Sequence, residues 1–488
     1  MTAVVALVYL AGMIGIGVWA ARRTRTQEDY FVAGGRLGLW VTGLAAMSAG
    51  FSGFVFLGGP GYFSQVGSGS LFIVIPVGFT AGLICRVMGR RLRLLAAVRK
   101  LYTVPDAVAA RYGRTAGGLA AVAVLAGTIG YLGVQILAAG RLIEIVFGTR
   151  QLLGEWSLPL AMIAGLVVVL IYSVAGGILA GVYTDLVQGG LMLLVAVAVF
   201  AWAVTDGGGW AGMTAGIAAD PRYGEGFLDP LGRLPSFQVL GFFFVFGIGA
   251  LGQPHVLHKF YMLRDPRGLR WMPFILGGGQ SLCLLIWIGV GLAVPALVAK
   301  GRMILPESPD DAAAAFLLHH TPDLLAGLAL AGVLAALMST SDSFVNIGAA
   351  ALVRDLPRAL GRPVRPGLGL PRLATVAIGL AAFLLAWWKD DLIALLGSFA
   401  FGIFAAALTP ALAVGLHWKR VTPTAGAASI ATGTVLSIAL EFWDNPPWAE
   451  GLPPSAVALA ASFVVLFAVT LMTRPVPLPA DVDAVLDL

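Results

Sequence analysis

One stretch of the chain decides how the rest is read: DLLAGLALAGVLAALMSTSDSFVNIGAAALV, residues 323–353. It is long and apolar enough to cross a bilayer, which takes about 20 residues of helix. Small residues recur near its middle at helical spacings of three and four, so one face presents a stripe: Ala336, Ser339, Thr340 and Ser343. Asp342 lies between Thr340 and Ser343, and a carboxylate inside a membrane costs roughly 2.5–3.5 kcal/mol on insertion scales. Helix packing explains single hydroxyls, but the cluster with Asp342 favours a site for sodium or a substrate.

The composition of the whole chain is that of a membrane protein. Of its 488 residues, 59% are hydrophobic and only 11% are charged, and the mean hydropathy is +0.90. Such a composition excludes an ordinary soluble domain and predicts an all-α membrane protein. We expect thirteen transmembrane helices, at residues 2–21, 38–66, 69–88, 116–147, 157–175, 179–204, 235–257, 271–298, 323–353, 371–388, 392–417, 424–443 and 455–473.

The basic residues predict the orientation in the membrane. With the N-terminus outside, 24 of the 31 lysines and arginines lie in cytoplasmic loops and the C-terminal tail. The loop that we place after the seventh span, residues 259–270, contributes Lys259 and three arginines to that number. This asymmetry indicates an N-terminus outside and a C-terminus in the cytoplasm of a multi-pass plasma (inner) membrane protein. It also explains the net charge of +6 without a nucleic-acid partner.

Two of the predicted spans carry helix-breaking residues near their middles. Gly50 and Gly53 interrupt the second span, and the seventh reads GIGALGQPH over residues 247–255. The two lie five spans apart, which is typical of five-span units repeated with inverted topology, where discontinuous helices build the binding site. The alternative is that the glycines only permit close helix packing.

Two further polar residues in the predicted spans are candidates for a role in transport. Asp185, one to two turns into the sixth span, is either a favourable helix-end charge or a second carboxylate along an inward ion path. Gln135 in the fourth span is either an interhelical hydrogen-bonding residue or a substrate contact. No GxxxxGK[ST], HExxH or GxSxG motif is present in the sequence, so we expect neither an ATP-driven pump nor an enzyme.

Several short motifs, in this order along the chain, resemble the sodium:solute symporter family. They are DYFVAGGR (29–36), TVPD (103–106), RYG (111–113), the segment 172–188, GQPH (252–255), MSTSDS (338–343) and WKR (418–420). The resemblance implies an inverted five-helix repeat of the LeuT type. The implied divisions are a first helix and loop (1–37), a first repeat (38–204), a second repeat (205–417) and two peripheral helices with a short tail (418–488).

The resemblance also implies a sodium site between the first broken helix and the hydroxyl-bearing helix. Main-chain carbonyls of Ser48, Phe51 and Ala336 and hydroxyls of Ser339 and Thr340 would hold the ion, which is transported rather than kept as a prosthetic group. An ion-release path or a second ion site is implied for three further residues: Asp185, Asp342 and Ser343. In this reading the protein couples sodium influx to uptake of a small organic solute by alternating access.

The predicted solute site departs from that of proline-transporting members of the family. Those members have an aspartate where this chain has Gly50, and tryptophan and tyrosine at the positions of Phe246 and Ala250. The predicted pocket is small and mostly apolar, with amide groups: Gly50, Phe51, Gln135, Phe246, Ala250 and Gln253. An amino acid, a monocarboxylate or a neutral polar solute would fit it. Proton-coupled symport and, less favoured, a solute-sensing protein of the same fold are the alternatives.

Overall fold

The computed structural model describes residues 2–24, 27–224, 226–364, 367–389, 391–443 and 451–487. Within these ranges the protein is helical, with no β-strand and one isolated bridge that pairs Leu37 with Leu263. The all-α class predicted from the composition is therefore confirmed.

The α-helices of seven or more residues follow one another along the chain. They are α1 (Thr2–Ala21), α2 (Leu39–Ala49), α3 (Gly59–Val66), α4 (Val77–Leu83), α5 (Arg90–Arg99), α6 (Val104–Tyr112), α7 (Arg114–Phe147), α8 (Ser157–Asp206), α9 (Gly209–Ala219), α10 (Ser236–Gly247), α11 (Pro254–Met262), α12 (Met272–Cys283), α13 (Leu285–Ala299), α14 (Ala312–His319), α15 (Asp323–Ala350), α16 (Gly369–Lys389), α17 (Ile393–Thr409), α18 (Pro423–Glu441), α19 (Pro454–Met472) and α20 (Ala480–Leu486). Shorter helices are Gln27–Val32, Thr149–Leu153 and Leu356–Ala359.

The number of membrane spans differs from the predicted thirteen. In the described part of the chain, eleven helices are long and apolar enough to cross a membrane. One of them, Phe54–Arg99, covers a region where the sequence predicts parts of two spans, and two further apolar helices, Ala11–Ala20 and Leu39–Ala49, are short. The number thirteen therefore stays a prediction, while the multi-span architecture is confirmed.

Two helical spans are broken near their centres, at the positions that the glycines predicted. Between α2 and α3 the chain leaves the helix at Phe51 and Ser52, and we name residues 50–53 the first break. Between α10 and α11 it passes through a single 3₁₀ turn and an extended Gln253, and we name residues 248–253 the second break. Pro254 then starts α11, because a proline in the first turn lacks only a donor that would be unpaired anyway.

The long helix α8 contains a third irregularity, which separates two predicted spans. Gly177 has φ +58° and ψ −165°, a conformation open to glycine and costly for other residues. At 1.5 Å per residue, an uninterrupted helix of 50 residues would be far longer than a bilayer is thick. The bend therefore lets α8 serve as the two consecutive spans that the sequence indicates.

The hydroxyl-bearing helix α15 lies at the centre of the bundle. It packs against α1, α7, α8 and α16, and nearly all of its residues from Ala326 to Ala350 are buried. Its middle also contacts α2, beside the first break. This position places the stripe that begins at Ala336 next to the non-helical backbone of Phe51 and Ser52.

Candidate functional site

Side chains of α7 stabilise the non-helical backbone of the first break. Gln135 accepts a hydrogen bond from the Gly53 amide at 3.0 Å, and the hydroxyl groups of Ser52 and Tyr131 lie 3.3 Å apart. A Cβ atom on Gly53 would lie 2.6 Å from both Ala138 Cβ and Leu337 Cδ2, so only glycine fits here without rearrangement. The break is thus a built feature of the fold, braced from one side by α7 and packed on the other against α15.

Four of the five predicted sodium ligands meet in pairs across the first break, and the fifth, Ala336, lies about one helical turn before them on α15. Ser48, Phe51, Ala336, Ser339 and Thr340 are all buried. Thr340 Oγ1 donates a hydrogen bond to the Phe51 carbonyl oxygen at 2.7 Å, and the Ser339 and Ser48 hydroxyl oxygens lie 3.1 Å apart. The non-helical segment and the hydroxyl stripe therefore meet through oxygen atoms. This is the arrangement by which unwound helices and neighbouring helices coordinate small cations in transporters.

A fully buried ion pair adjoins this cluster. Asp185 on α8 accepts a hydrogen bond from the Ser339 hydroxyl at 2.5 Å and another from Lys259 Nζ at 2.9 Å. The side chains of Lys259 and Asp185 are 1% and 0% exposed. The sequence placed Lys259 in a cytoplasmic loop, and that placement was wrong because α11 continues to Met262 and carries the lysine inward.

Asp342 and Ser343 lie on α15, where it faces α8. Asp342 packs so closely against Gly181 that a side chain on that glycine would overlap its carboxylate. Within the described residues, neither Asp342 Oδ2 nor the Ser343 hydroxyl has a hydrogen-bond partner. Gly181 precedes Asp185 by about one helical turn, so these two residues lie on the same side of α8. The Asp342 carboxylate, which packs against Gly181, therefore lies on the side of α8 that carries Asp185.

The second break is braced by α17 in the way that the first is braced by α7. Thr409 Oγ1 donates a hydrogen bond to the Gly249 carbonyl oxygen at 3.0 Å, and Gln253 Nε2 donates to the Phe401 carbonyl oxygen at 3.2 Å. A Cβ atom on Gly252 would lie 2.6 Å from Thr409 Oγ1 and 2.7 Å from the Phe404 carbonyl oxygen. This break is also tightly enclosed.

A cavity of about 70 Å³ lies between the two breaks. Its lining includes five of the six residues predicted for the solute site: Gly50, Phe51, Phe246, Ala250 and Gln253. The sixth, Gln135, is bonded to Gly53 beside the cavity rather than lining it. Aromatic rings form much of the wall: Phe246 stacks on Phe54 at 5.8 Å and on Phe401 at 4.4 Å between ring centroids.

The polar groups of this cavity are uncharged amides and hydroxyls, together with a histidine. Lysine, arginine, aspartate and glutamate are all missing from its lining residues. Gln280 fills the space beside Gly50, since a Cβ atom on that glycine would lie 2.7 Å from Gln280 Nε2. Gln253 Oε1 and His255 Nδ1 are buried and have no hydrogen-bond partner among the described residues. Both therefore remain available to a polar solute.

Four residues of this region were not singled out from the sequence: Tyr131, Lys259, Gln280 and Phe401. Lys259 lies about one helical turn after the GQPH motif, and this closeness is the one feature of the sequence that indicates a buried position for the lysine. Gln280 ends the run of glycines at 277–279 in an otherwise apolar helix, which marks it as a buried polar group. Tyr131 and Phe401 have no distinguishing pattern, because aromatic residues in apolar spans are most often packing residues.

Comparison with known proteins agrees with this architecture. The Sodium:solute symporter family matches residues 30–433. The chain is 28% identical over 474 residues to the high-affinity proline transporter PutP of Bacillus subtilis (strain 168), covering 95% of this chain and 96% of that protein. It is 26% identical over 452 residues to the sodium/proline symporter of Escherichia coli (strain K12), with 90% and 87% covered.

Solved structures share the fold at lower sequence identity. A Na⁺-coupled sialic acid symporter in a substrate-bound outward-open state aligns with a TM-score of 0.77 at 18% identity, covering 98% of this chain and 99% of the other. Mhp1, a nucleobase-cation-symport-1 family transporter, aligns with a TM-score of 0.58 at 14% identity, covering 94% and 98%. The likeness to these structures shows that the chain has the LeuT-type fold, in which two helices are interrupted near their centres.

The chain belongs to the sodium:solute symporter family. The resemblance stated from its motifs is confirmed, and so is its function as a sodium-coupled transporter of a small solute. Sodium is the co-transported ion, which sets aside the proton-coupled alternative.

Proposed function

We propose that sodium binds between the first break and α15, held by main-chain oxygens of Ser48, Phe51 and Ala336 and hydroxyl oxygens of Ser339 and Thr340. The observation that carries this proposal is the 2.7 Å contact between Thr340 Oγ1 and the Phe51 carbonyl, next to the Ser339–Ser48 contact. These oxygens come from two separate elements. An ion bound by all of them holds those elements together, and its departure lets them separate.

The bound ion and the solute then influence each other through the first break. Phe51 contributes its carbonyl to the sodium cluster and also lines the solute cavity, together with Gly50. Fixing the backbone at Phe51 therefore orders one wall of the cavity before the solute enters. A ligand that stabilises one geometry raises the affinity of a second ligand that needs the same geometry. This linkage is the proposed basis of coupling between sodium and solute.

The proposed release path runs along the face of α8 that carries Asp185. Asp342 and Ser343 on α15 line the same region, with buried oxygen atoms that have no partner among the described residues. Oxygen atoms of this kind offer successive weak contacts to a departing cation. Replacing Asp185 with Asn is expected to slow net uptake more than it weakens sodium binding. Unchanged uptake would contradict a role for Asp185 in the path.

For the solute, we propose a small molecule without net charge, such as the zwitterion of a small amino acid. A cavity of about 70 Å³ is well below the roughly 300–1,000 Å³ of pockets for drug-sized ligands. The missing lysine, arginine and acidic side chains leave no partner for a net charge, which is costly to bury alone. The amides of Gln253 and Gln280 and the imidazole of His255 suit a polar, uncharged or zwitterionic solute.

Proline itself is a weaker candidate than for the relatives. The proline-transporting members have an aspartate at the position of Gly50, and here the Gln280 amide fills that space. The Gln280 amide narrows the cavity at this point, and the whole cavity measures only about 70 Å³, which favours a solute smaller than proline. We therefore expect proline to be transported less well than a smaller neutral amino acid.

Uptake into proteoliposomes tests this function directly. The full-length protein is reconstituted, and accumulation of radiolabelled glycine, alanine, proline, acetate and pyruvate is followed with an inward sodium gradient or with choline in its place. We expect sodium-dependent accumulation of one or more of the amino acids and none of the monocarboxylates. Accumulation of a monocarboxylate alone would contradict the proposed solute class, and equal uptake in choline would contradict the sodium site.

The topology and domain arrangement remain part of the proposal. We place the N-terminus outside and the C-terminus in the cytoplasm, supported by the distribution of basic residues. We also propose that residues 38–204 and 205–417 form the two inverted repeats, with residues 1–37 and 418–488 outside them. One broken helix falls in each repeat, as this division requires.

A further inference from the structure

The ion pair of Lys259 and Asp185 lies directly beside the proposed sodium ligands. Lys259 Nζ and Asp185 Oδ2 are 2.9 Å apart, and the other carboxylate oxygen accepts from Ser339 at 2.5 Å. Neither charged side chain is more than 1% exposed. One continuous chain of contacts therefore joins the ammonium group, the carboxylate and a hydroxyl that the sodium proposal uses.

The surroundings of Asp185 contain oxygen atoms that no described group satisfies. Asp342 Oδ2 and the Ser343 hydroxyl lie on the face of α15 toward α8, and both are buried without hydrogen-bond partners. Ser173 is also buried, and its side chain interacts with the Asp342 carboxylate. With a free Asp185 carboxylate, these oxygen donors would suit a second monovalent cation. The carboxylate, however, is already occupied by the ammonium group of Lys259.

We propose that Lys259 acts as a built-in cation that takes the place of a second sodium ion, so that the protein binds and transports one sodium per cycle. Lys259 neutralises Asp185 permanently, so this carboxylate cannot supply the charge that would hold another ion beside Asp342 and Ser343. It is also a positioning residue for the first ion. Because Asp185 receives the Ser339 hydrogen, the lone pairs of Ser339 remain free to face the sodium at the first break.

This inference rests on the proposed sodium site, and the two make separate predictions. The sodium site requires that the protein bind sodium at all, through α15 and the first break. The Lys259 inference fixes the number of ions. A purely structural salt bridge would leave the number of bound ions unchanged when its charges are removed, whereas a built-in cation changes it.

Counting bound ²²Na⁺ tests the inference without knowledge of the solute. Saturation binding is measured on the purified full-length protein and on Lys259→Met, Lys259→Arg and the double variant Lys259→Met with Asp185→Asn. We expect one ion for the natural sequence, two for Lys259→Met, one for Lys259→Arg and one for the double variant. The double variant is the matched control, because it also lacks the lysine but leaves no unpaired carboxylate.

Each outcome separates the inference from the sodium site. Two ions bound by the unaltered protein, or one ion bound by a folded Lys259→Met variant, would overturn the inference while the sodium site stands. No sodium bound by the unaltered protein would overturn the sodium site itself. If Lys259→Met does not elute as a folded monodisperse protein, Lys259→Gln gives the same test, because its amide can donate to Asp185 without a charge.

Discussion

The two breaks have the same backbone design but different surroundings. In each, a threonine hydroxyl donates to a carbonyl freed by the break: Thr340 to Phe51 at 2.7 Å, and Thr409 to Gly249 at 3.0 Å. In each, a glutamine braces the break against another helix. The first break, however, also has the hydroxyl groups of Ser48 and Ser339 beside it, with the buried Asp185 carboxylate next to them. Among the described residues, no such cluster is found at the second break.

A broken helix alone is therefore not sufficient to form an ion-binding site. Around the second break, a Cβ atom on Gly249 would meet Ala405 at 2.5 Å and Leu459 at 3.4 Å, so its neighbours there are apolar. A single threonine satisfies its freed carbonyl and leaves few oxygens for a cation. The number of oxygen atoms contributed by the helix opposite each break therefore decides which break binds sodium and which only shapes the solute cavity.

The largest effect is expected from removing the hydroxyl groups opposite the first break. The double variant Ser339→Ala with Thr340→Ala loses two of five proposed ligands. We expect the sodium concentration for half-maximal uptake to rise at least about tenfold, equivalent to about 1.4 kcal/mol. The matched control is Thr409→Ala, which removes the corresponding hydroxyl at the second break and should leave the sodium dependence unchanged. Equal effects at the two breaks would remove the distinction between them.

Both breaks should respond similarly to overpacking, since both are enclosed. Gly53→Ala places a methyl group 2.6 Å from Ala138 and Leu337, and Gly252→Ala places one 2.6 Å from Thr409. Overpacking of this kind costs about 1–3 kcal/mol, so we expect a lower thermal unfolding midpoint for each. Gly278→Ala is the control, because no atom lies within 4 Å of the added methyl group. If the thermal unfolding midpoint of either glycine variant equals that of the unaltered protein, the break that carries the substitution is not tightly packed.

A smaller and more selective effect is expected at the solute cavity. Gln280→Ala opens the space beside Gly50 without touching α15. We expect a shift of preference toward larger neutral amino acids, measured as the ratio of initial uptake rates for leucine and alanine. The sodium concentration for half-maximal uptake of alanine should remain within about twofold. A sodium dependence that changed as much as in the Ser339 and Thr340 double variant would show that cavity and ion site are not distinct.

The smallest effect concerns pH and the helix that braces the second break. Asp310 accepts a hydrogen bond from the Ile393 amide at the start of α17, and burial raises the pKa of its carboxyl to about 6. The unfolded chain releases this proton near pH 4, so stability from Asp310 declines as the pH rises from about 4 to about 6. In the Asp310→Asn variant, the thermal unfolding midpoint should fall less between about pH 4 and pH 6 than it does in the unaltered protein. An identical fall in the variant and the unaltered protein would contradict this role of Asp310.

The first break and its partner helix were readable from the sequence because both are local patterns. Gly50 and Gly53 lie close together in one apolar span, and Ser339 and Thr340 belong to a stripe of small residues at helical spacing in another. Their assignment as sodium ligands remains a prediction. The contact between the two spans came from the family resemblance, since no local rule specifies which helices become neighbours.

The rest depended on tertiary contacts and on helix ends, which sequence patterns locate poorly. Lys259 was assigned to a loop because a lysine after an apolar run is typical of a span end, yet α11 continues for three more residues. Gln280 reaches Gly50 across more than 200 residues of sequence, so its role had no local signal. For Gln135 the sequence allows an interhelical hydrogen bond or a solute contact, and the structure shows a hydrogen bond from the Gly53 amide.

The most direct test of the account is a high-resolution experimental structure of the protein in sodium, compared with one in choline. We predict a density peak in sodium alone, surrounded by the Ser48, Phe51 and Ala336 carbonyl oxygens and the Ser339 and Thr340 hydroxyl oxygens. A sodium-dependent peak at the second break, near Gly249 and Thr409, or an apolar contact where the first peak is expected, would contradict it.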